Sequence, residues 1–324
     1  MNIPQLAREA INQGLLFRTW GNLSKRDKDN KRNFLITPSG MGYEEMEEKD
    51  LVKVFEDGSH EGNIKPSSES PMHLALYRRF PDINVIIHTH QPYGSAISLL
   101  KRDIPLTDSE AENLGSNSIK ISGYALPGTK KLHNNVDQLA SLSGCKAILL
   151  EMHGVIIMGE NEESALENAL LVEGACNRYF EKIGAHAISF NEDVSEITRN
   201  DDVATMPRNI FNKRPDVNAI IRMTSQDVNK HTVMKPYLDD FAQIVGIRAN
   251  SSCKYNVVFG DGEVFCLGKD IEDATAVQHI FEKNVLAQAV AKVSSHKPIH
   301  VLEAILMNQV YKRKYSKLKD MKKD

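Results

Sequence analysis

The chain has 324 residues, of which 41% are hydrophobic and 26% are charged, and its formal net charge is −3. This length exceeds one typical domain and predicts two, in a chain apolar enough to bury a core. The small negative charge gives no electrostatic reason to expect a nucleic acid or an anionic membrane as partner. No apolar run approaches the roughly 20 residues that a membrane-spanning helix needs.

The N-terminus and the cysteines indicate the compartment. Residues 1–8 lack the basic segment followed by an apolar one that marks a secretory signal. The four cysteines are scattered without metal-type spacing, and we interpret them as reduced, small apolar residues. They are Cys145, Cys176, Cys253 and Cys266. These features predict a cytoplasmic protein.

The first half of the chain alternates between predicted helices and strands. Apolar residues at helical spacing predict a helix over 3–17, and Ser68 is the expected N-cap of a second helix. A third, long helix is predicted from 161 to about 183. Short apolar runs predict strands at 33–37, 51–56, 83–90, 147–150 and 154–158. Elements mixed at this density predict an α/β fold, a sandwich with a mainly antiparallel central sheet.

The composition changes after the first half. Residues 186–209 are polar and without clear periodicity, which predicts a linker between a domain at 1–185 and a second, smaller α/β domain at 210–324. The second domain ends in a lysine-rich tail from Tyr311 onward. We interpret this tail as a helix end that frays into solvent rather than as a binding surface.

Two blocks of the first domain recur in the second domain in the same order. Residues 79–88 match residues 213–222, and residues 154–165 resemble residues 263–274. In both domains, the second block leads into a predicted helix with a similar spacing of apolar residues. We therefore predict that the second domain is a partial internal repeat of the first.

The segment His88-Thr89-His90 lies in a predicted strand. Side chains two residues apart point to the same face of a strand, so the two imidazoles converge while Thr89 faces away. His153 lies in a turn between two apolar strands, beside Gly154, whose lack of a side chain allows close backbone approach. The alternative is a set of solvated histidines. Three neutral imidazoles leave positions open on a divalent ion, as in a catalytic site.

Glu69 follows two serines at a predicted helix start. It is either an ordinary first-turn carboxylate or a carboxylate that exchanges protons with a substrate beside the metal. The same turn offers hydroxyls and backbone N–H groups suited to a phosphate. Gly21-Asn22 and Ser39-Gly40 are two further polar turns of this kind. Since no sulfur is offered, zinc is the first candidate ion, with manganese, cobalt or iron as alternatives.

Six motifs occur in an order that resembles the class II aldolase/adducin family, and within it the fuculose-phosphate aldolase type. The resemblance covers about residues 5–185. The motifs begin at Gly21, Ile36, Lys65, His88, Tyr124 and His153. The resemblance implies a largely antiparallel sheet between helix layers, hence a three-layer α/β/α sandwich. It also implies an assembly of identical subunits with interfacial active sites.

The resemblance also implies roles for individual residues. His88, His90 and His153 would hold the metal, which is usually zinc in the aldolases. Glu69 would be the acid/base, and Tyr124 would donate a proton to the aldehyde oxygen. The residues implied in binding the substrate phosphate are Asn22, Ser39, Gly40, Ser67 and Ser68.

Three functions remain open at this stage. The first is a zinc-dependent aldolase that cleaves a ketose phosphate into dihydroxyacetone phosphate and an aldehyde. The second is a sugar-phosphate 4-epimerase or a ketose-phosphate dehydratase, because one scaffold can carry each reaction. The third is a non-catalytic scaffold like the adducin head. The second domain departs from the pattern, since Arg222 and Thr224 stand where His88 and His90 stand in the first.

Overall fold

A computed structural model describes residues 1–321, with side chains as far as residue 313. The last residues of the lysine-rich tail, 322–324, lie outside the described residues. The chain divides into two compact units, Met1–Ile183 and Gly184–Asp324. Within residues 1–321, no helix is both long and apolar enough to cross a membrane.

The first unit combines a large sheet with helices. Its helices are α1 (Ile3–Asn12), α2 (Ser70–Arg79), α3 (Pro92–Ile97), α4 (Asp108–Leu114), α5 (Lys130–Ser143) and α6 (Glu162–Lys182). Its strands are β1 (Asn22–Arg26), β2 (Phe34–Ile36), β3 (Val52–Val54), β4 (Val85–Thr89), β5 (Ile104–Pro105), β6 (Ser118–Ser122), β7 (Ala147–Leu150) and β8 (Gly154–Gly159). Two short 3₁₀ helices occupy Glu48–Asp50 and Ser98–Leu100.

The eight strands form one sheet in the order β3-β2-β1-β4-β8-β7-β6-β5. Every described strand pair is antiparallel except β6 with β7, which confirms the predicted antiparallel α/β architecture. Ile86 of β4 and Ile156 of β8 share a core cluster with Met72 of α2 and Leu132 of α5. Successive residues of a strand alternate between its two faces, so the chain neighbours of Ile86 and Ile156 point to the opposite face of the sheet. Helix α6 contacts both β4 and β8.

Several boundaries differ from the predictions. Helix α1 ends at Asn12, because Gly14 adopts a left-handed conformation (φ 71°), although Leu15 beyond it is still buried. The N-cap of α2 is Glu69 and not the predicted Ser68. The hydroxyl that bonds this helix start belongs to Ser67, whose Oγ accepts the N–H of Glu69 at 3.3 Å.

The second unit is smaller and has its own sheet. Its helices are α7 (Thr205–Lys213), α8 (Asp239–Ile244), α9 (Ile271–Ser294) and α10 (Val301–Met321). Its strands are β9 (Ser195–Thr198), β10 (Ala219–Thr224), β11 (Val257–Phe259) and β12 (Glu263–Gly268), in the antiparallel order β11-β12-β10-β9.

Residues 186–209, predicted as a linker, contain strand β9 and the start of α7. Their sequence did not reveal the strand because Ile197 is the only large apolar residue in Ser195–Thr198, at the edge of the sheet. Backbone hydrogen bonds to β10, which do not depend on side-chain type, hold this strand in place.

The two sheets share strand order and register. The neighbours β1-β4-β8-β7 in the first unit correspond to β9-β10-β12-β11 in the second. Val85 lies opposite Gly159 in the first sheet, and Ala219 lies opposite Gly268 in the second. These pairs fall at matching positions of the sequence blocks that recur.

One arginine occupies the same place in both units. Nε of Arg26 donates to the carbonyl of Ile83 at 2.6 Å, and Nε of Arg199 donates to the carbonyl of Val217 at 3.2 Å. Each guanidinium also lies over an aromatic ring of a helix that follows it in the chain. Arg26 lies 4.7 Å from the ring centroid of Tyr77 in α2, and Arg199 lies 5.1 Å from that of Phe211 in α7. The sequence comparison did not detect this match, because a single arginine outside the two blocks carries no pattern.

Candidate metal centre and active site

Three histidines converge at the end of strand β4. His88 lies in this strand, His90 is the first residue after it, and His153 lies in the turn that joins β7 to β8. Pairing of Thr89 with Val155 brings that turn beside the two histidines. Nε2 of His88 lies 3.0 Å from Nε2 of His153 and 3.1 Å from Nε2 of His90. The sequence thus predicted a cluster that the fold assembles.

The protonation of His88 suits a metal ligand. Its Nδ1–H donates to the carbonyl of Val155 at 2.9 Å, which leaves the lone pair of Nε2 directed at the cluster. Burial lowers the pKa of His88 to about 3, so the ring is neutral at neutral pH. The ligand atoms of His88, His90 and His153 all lie within 4.8 Å of one another. Three imidazole nitrogens without sulfur fit a divalent ion of the zinc type.

Glu69 lies against this cluster. Its Oε2 is 3.3 Å from Nε2 of His88, and its Oε1 is 3.4 Å from Nε2 of His153. Nδ2 of Asn22 donates to Oε2 at 2.7 Å. Burial favours the neutral carboxyl, but the hydrogen bonds that its oxygens accept from His153 and Asn22 oppose this effect, and the pKa of Glu69 lies well below its usual range. The carboxylate is therefore ionised and fixed in place.

Two glycines make room for the histidines. A Cβ on Gly154 would lie 2.3 Å from the carbonyl oxygen of Thr89 and 3.1 Å from the rings of both His88 and His90. A Cβ on Gly21 would lie 2.3 Å from the carbonyl oxygen of His88. Side chains at either position would push the backbone of β4 and displace the histidines.

We expect Gly154→Ala to lower the free energy of unfolding by about 2 kcal/mol or more, because the added methyl meets backbone that cannot move away. Bound metal should fall with it. Gly174→Ala is the matched control, since a Cβ there meets nothing within 4 Å on helix α6. This control should raise the free energy of unfolding by up to about 1 kcal/mol. Urea denaturation of both variants checks the pair, and equal stability of the two would contradict the steric argument.

The polar turns named from the sequence lie together. Ser39 donates its N–H to the carbonyl of Lys65 at 3.0 Å, and Ser67 donates its N–H to the carbonyl of Thr37 at 3.2 Å. These bonds join the Ser39-Gly40 turn to the start of α2. Asn22 meets the same helix start through Glu69. The structure thus brings the predicted polar residues of three chain segments together at the start of α2.

Ser68 and Tyr124 belong to the same region by different contacts. A Cβ on Gly128 would lie 3.5 Å from Oγ of Ser68, which places the loop after β6 beside the start of α2. Tyr124, in that loop, donates its N–H to Oε2 of Glu151 at 2.9 Å. Glu151 lies in the turn that carries His153. Tyr124 is thus linked through its backbone to the histidine cluster.

His73 belongs to a buried hydrogen-bond chain whose other members, Ser24 and Tyr77, were not identified from the sequence. Oγ of Ser24 lies 2.7 Å from Nδ1 of His73 and 2.8 Å from the hydroxyl of Tyr77. Burial lowers the pKa of His73 to about 4, so this histidine stays neutral. The spacing of these residues could have indicated the chain. Ser24 follows Asn22 by two residues on one strand, and His73 follows Glu69 by four residues at one helix, so each pair shares a face.

Sequence comparisons agree with this geometry. The model of the class II aldolase and adducin N-terminal domain matches residues 1–180. The chain is 38% identical over 175 residues to the L-fuculose phosphate aldolase of Escherichia coli K12, covering 54% of this chain and 77% of that protein. It is 36% identical over 174 residues to a 5-methylthioribulose-1-phosphate/5-deoxyribulose-1-phosphate aldolase of Rhodospirillum rubrum, covering 54% of this chain and 76% of that protein.

A more distant relative and a solved structure extend the comparison. A probable L-ribulose-5-phosphate 4-epimerase of Mycoplasma pneumoniae is 30% identical, over 49% of this chain and 72% of that protein. The solved structure of an L-fuculose 1-phosphate aldolase superposes with a TM-score of 0.51 at 28% identity, covering 59% of this chain and 89% of that one. The chain belongs to the class II aldolase and adducin N-terminal domain family.

Proposed function

We propose that the protein is a metal-dependent lyase that cleaves a ketose phosphate, such as a fuculose-1-phosphate-like sugar, into dihydroxyacetone phosphate and an aldehyde. The observation that carries this proposal is the convergence of three histidine nitrogens beside Glu69, whose carboxylate oxygens lie 3.3 Å from Nε2 of His88 and 3.4 Å from Nε2 of His153. The names of the aldolase relatives mention sugar phosphates, and that of the Rhodospirillum rubrum protein mentions 1-phosphates, which supports the substrate class.

His88, His90 and His153 are proposed to hold one divalent ion, with zinc as the first choice and manganese, cobalt or iron as alternatives. Such an ion supplies Lewis-acid stabilisation of the negative charge that develops on the substrate oxygens. The neutral, fully buried ring of His88 is in the form that binds a cation. Three protein ligands leave room for substrate.

The proton transfers are assigned to Glu69 and Tyr124. In the cleavage direction, the phenolate form of Tyr124 would take the proton of the hydroxyl that becomes the aldehyde oxygen, and the adjacent carbon–carbon bond breaks. The carboxylate of Glu69 would take the proton of the neighbouring hydroxyl, which stays on the dihydroxyacetone phosphate fragment, so the bonding electrons remain on that fragment as an enediolate. Glu69 then delivers this proton to the carbon that lost the bond, and Tyr124 returns its proton to the oxygen on that carbon, which restores both residues. The bond from Asn22 to Oε2 keeps the carboxylate aimed at this position.

The phosphate is proposed to bind where the polar turns meet. Its ligands would be Asn22, Ser39, Gly40, Ser67 and Ser68. The start of helix α2 adds backbone N–H groups and the positive end of a helix dipole, and both favour an anion.

A panel of ketose phosphates tests this function. The zinc-loaded protein is incubated with each sugar, and dihydroxyacetone phosphate is measured by a coupled dehydrogenase while products are identified by NMR. We expect dihydroxyacetone phosphate and one aldehyde from at least one ketose 1-phosphate. No release from any member of the panel would contradict the aldolase proposal.

A sugar-phosphate 4-epimerase is the second candidate, and the 30% identity to a probable 4-epimerase supports it. A ketose-phosphate dehydratase is a further alternative on the same scaffold. The NMR spectra distinguish them, because an epimerase yields a stereoisomer of the substrate and a dehydratase loses water without breaking a carbon–carbon bond. A protein without bound metal and without turnover would instead favour an adducin-like scaffold.

The second unit is proposed to be a partial, metal-free copy of the first. The shared strand order, the shared register and the matching arginines support this proposal. In the first unit His88 pairs with Asn22 across the sheet, and in the second unit Arg222 pairs with Ser195. Both residues of this second pair line a pocket of about 450 Å³, and Glu263 lines the same pocket. Nε of Arg222 donates to Oε1 of Glu263 at 2.7 Å.

We expect Arg222→Ala to leave metal content unchanged, because no imidazole is retained at the equivalent positions. The protein should hold about one ion per chain before and after the substitution. Elemental analysis measures this directly. A second ion in the unsubstituted protein, lost in the variant, would show that the copy still binds metal.

Two further properties stay predictions. The resemblance implies a homo-oligomer, which light scattering after size-exclusion chromatography would detect. The scattered cysteines predict a cytoplasmic location. Neither property bears on the chemistry assigned to Glu69 and the histidines.

A further inference from the structure

The turn that carries His153 has an unusual backbone. The N–H of His153 donates to the carbonyl of Leu150 at 3.0 Å, which closes a four-residue turn. Met152, the third residue of this turn, has φ 62° and is buried. A positive φ at the third position is where turns normally take glycine or asparagine. A methionine there is strained, and something must hold it.

Ser98, in the 3₁₀ helix after α3, holds this residue. Its Oγ accepts the N–H of Met152 at 3.0 Å and donates to the carbonyl of Ser95 at 2.6 Å. The single proton of the hydroxyl is committed to Ser95, so a lone pair faces Met152. Ser98 is fully buried. The strained residue is thus fixed from a neighbouring element.

The residue before Met152 is held as well. Glu151 is buried, and its Oε2 accepts the N–H of Tyr124 at 2.9 Å. Its Oε1 lies 3.0 Å from Nζ of Lys101. Lys101 follows Ser98 by three residues, so the segment after α3 contacts the turn twice, at Met152 and at Glu151.

We propose that Ser98 is a positioning residue for the metal centre, holding Met152 in its left-handed conformation so that His153 faces His88 and His90. The inference rests on the proposed metal site. Without the hydroxyl, the strained residue relaxes toward an ordinary conformation and carries the adjacent imidazole away from the other two. The loss then appears in metal affinity before it appears in the fold.

Zinc affinity, measured by competition with a chromophoric chelator, tests this role. We expect Ser98→Ala to raise the zinc dissociation constant by roughly 10–100-fold, the range typical of residues that orient metal ligands. Ser95→Ala is the matched control. It removes a hydroxyl that is equally buried, lies on the same segment and has no hydrogen-bond partner. This control should change the constant by less than about twofold.

A double-mutant cycle separates positioning from general loss of packing. In the Met152→Gly background, the left-handed conformation costs no side-chain strain, so Ser98→Ala should weaken zinc binding at least about threefold less than it does in the unsubstituted protein. In the Met152→Ala background, which loses the same side chain but keeps a Cβ, the full effect should remain. The visible spectrum of the cobalt-loaded variants should show the same pattern.

The outcomes distinguish this inference from the proposed function. Failure of the unsubstituted protein to bind zinc or cobalt overturns the metal site itself. Normal zinc affinity in Ser98→Ala, or equal effects in the Met152→Gly and Met152→Ala backgrounds, overturns the positioning role alone. If Ser98→Ala does not fold, the double variant Ser98→Ala/Met152→Gly decides: a folded, zinc-binding protein supports the role, and an unfolded one overturns it.

Discussion

Glu69→Gln should lower turnover by roughly 10²–10⁴-fold while metal content stays at its normal value. The amide keeps the size of the carboxylate and an oxygen that accepts the bond from Asn22, but it cannot take up a proton at neutral pH. His88, His90 and His153 are unchanged, so they still hold the ion. Steady-state rates and elemental analysis on the same preparation measure both properties.

Glu160→Gln is the control for this substitution. Glu160 pairs with Lys146 at 3.2 Å on the surface, where an ion pair contributes little to stability. The turnover of the Glu160→Gln variant should therefore be normal. Near-normal turnover in metal-loaded Glu69→Gln would assign the proton transfer elsewhere, with Tyr124 as the next candidate.

His88→Ala should remove stoichiometric metal. The ring of His88 is the centre of the cluster, within 3.1 Å of both other imidazoles, and two histidines alone form a weak site. We expect bound zinc to fall from about one ion per chain to roughly a tenth of that or less, with turnover falling in parallel. Elemental analysis after removal of free metal measures the ion directly.

His60→Ala serves as the control, since His60 is exposed and lies outside the cluster. It should bind metal normally. Retention of a full equivalent of zinc by His88→Ala would mean that the ion is held by other groups.

The sequence predicted the centre of the site because strand geometry places His88 and His90 on one face without further information. Gly154 was readable for a related reason, since a glycine beside a histidine in a turn indicates close backbone approach. Glu69 and the serines before it were found through the polar start of a helix. These features depend on local geometry, so the spacing of residues within a short stretch of sequence is enough to indicate them.

Features that depend on distant partners were not readable. Strand β9 has one large apolar residue and is defined by its pairing with β10, so its sequence resembled a linker. Between 91 and 146 no individual element was predicted, although α5 and β6 lie there. The role assigned to Ser98 depends on a turn more than 50 residues away, at Met152.

The central claim is that one metal ion, held by His88, His90 and His153, enables cleavage of a sugar phosphate. Titration of zinc into metal-free protein, with release of dihydroxyacetone phosphate followed at each step, tests this claim most directly. We expect turnover to rise in proportion to added zinc and to stop rising at about one ion per chain. Full turnover in metal-free protein, or a rise that continues to two ions per chain, would contradict it.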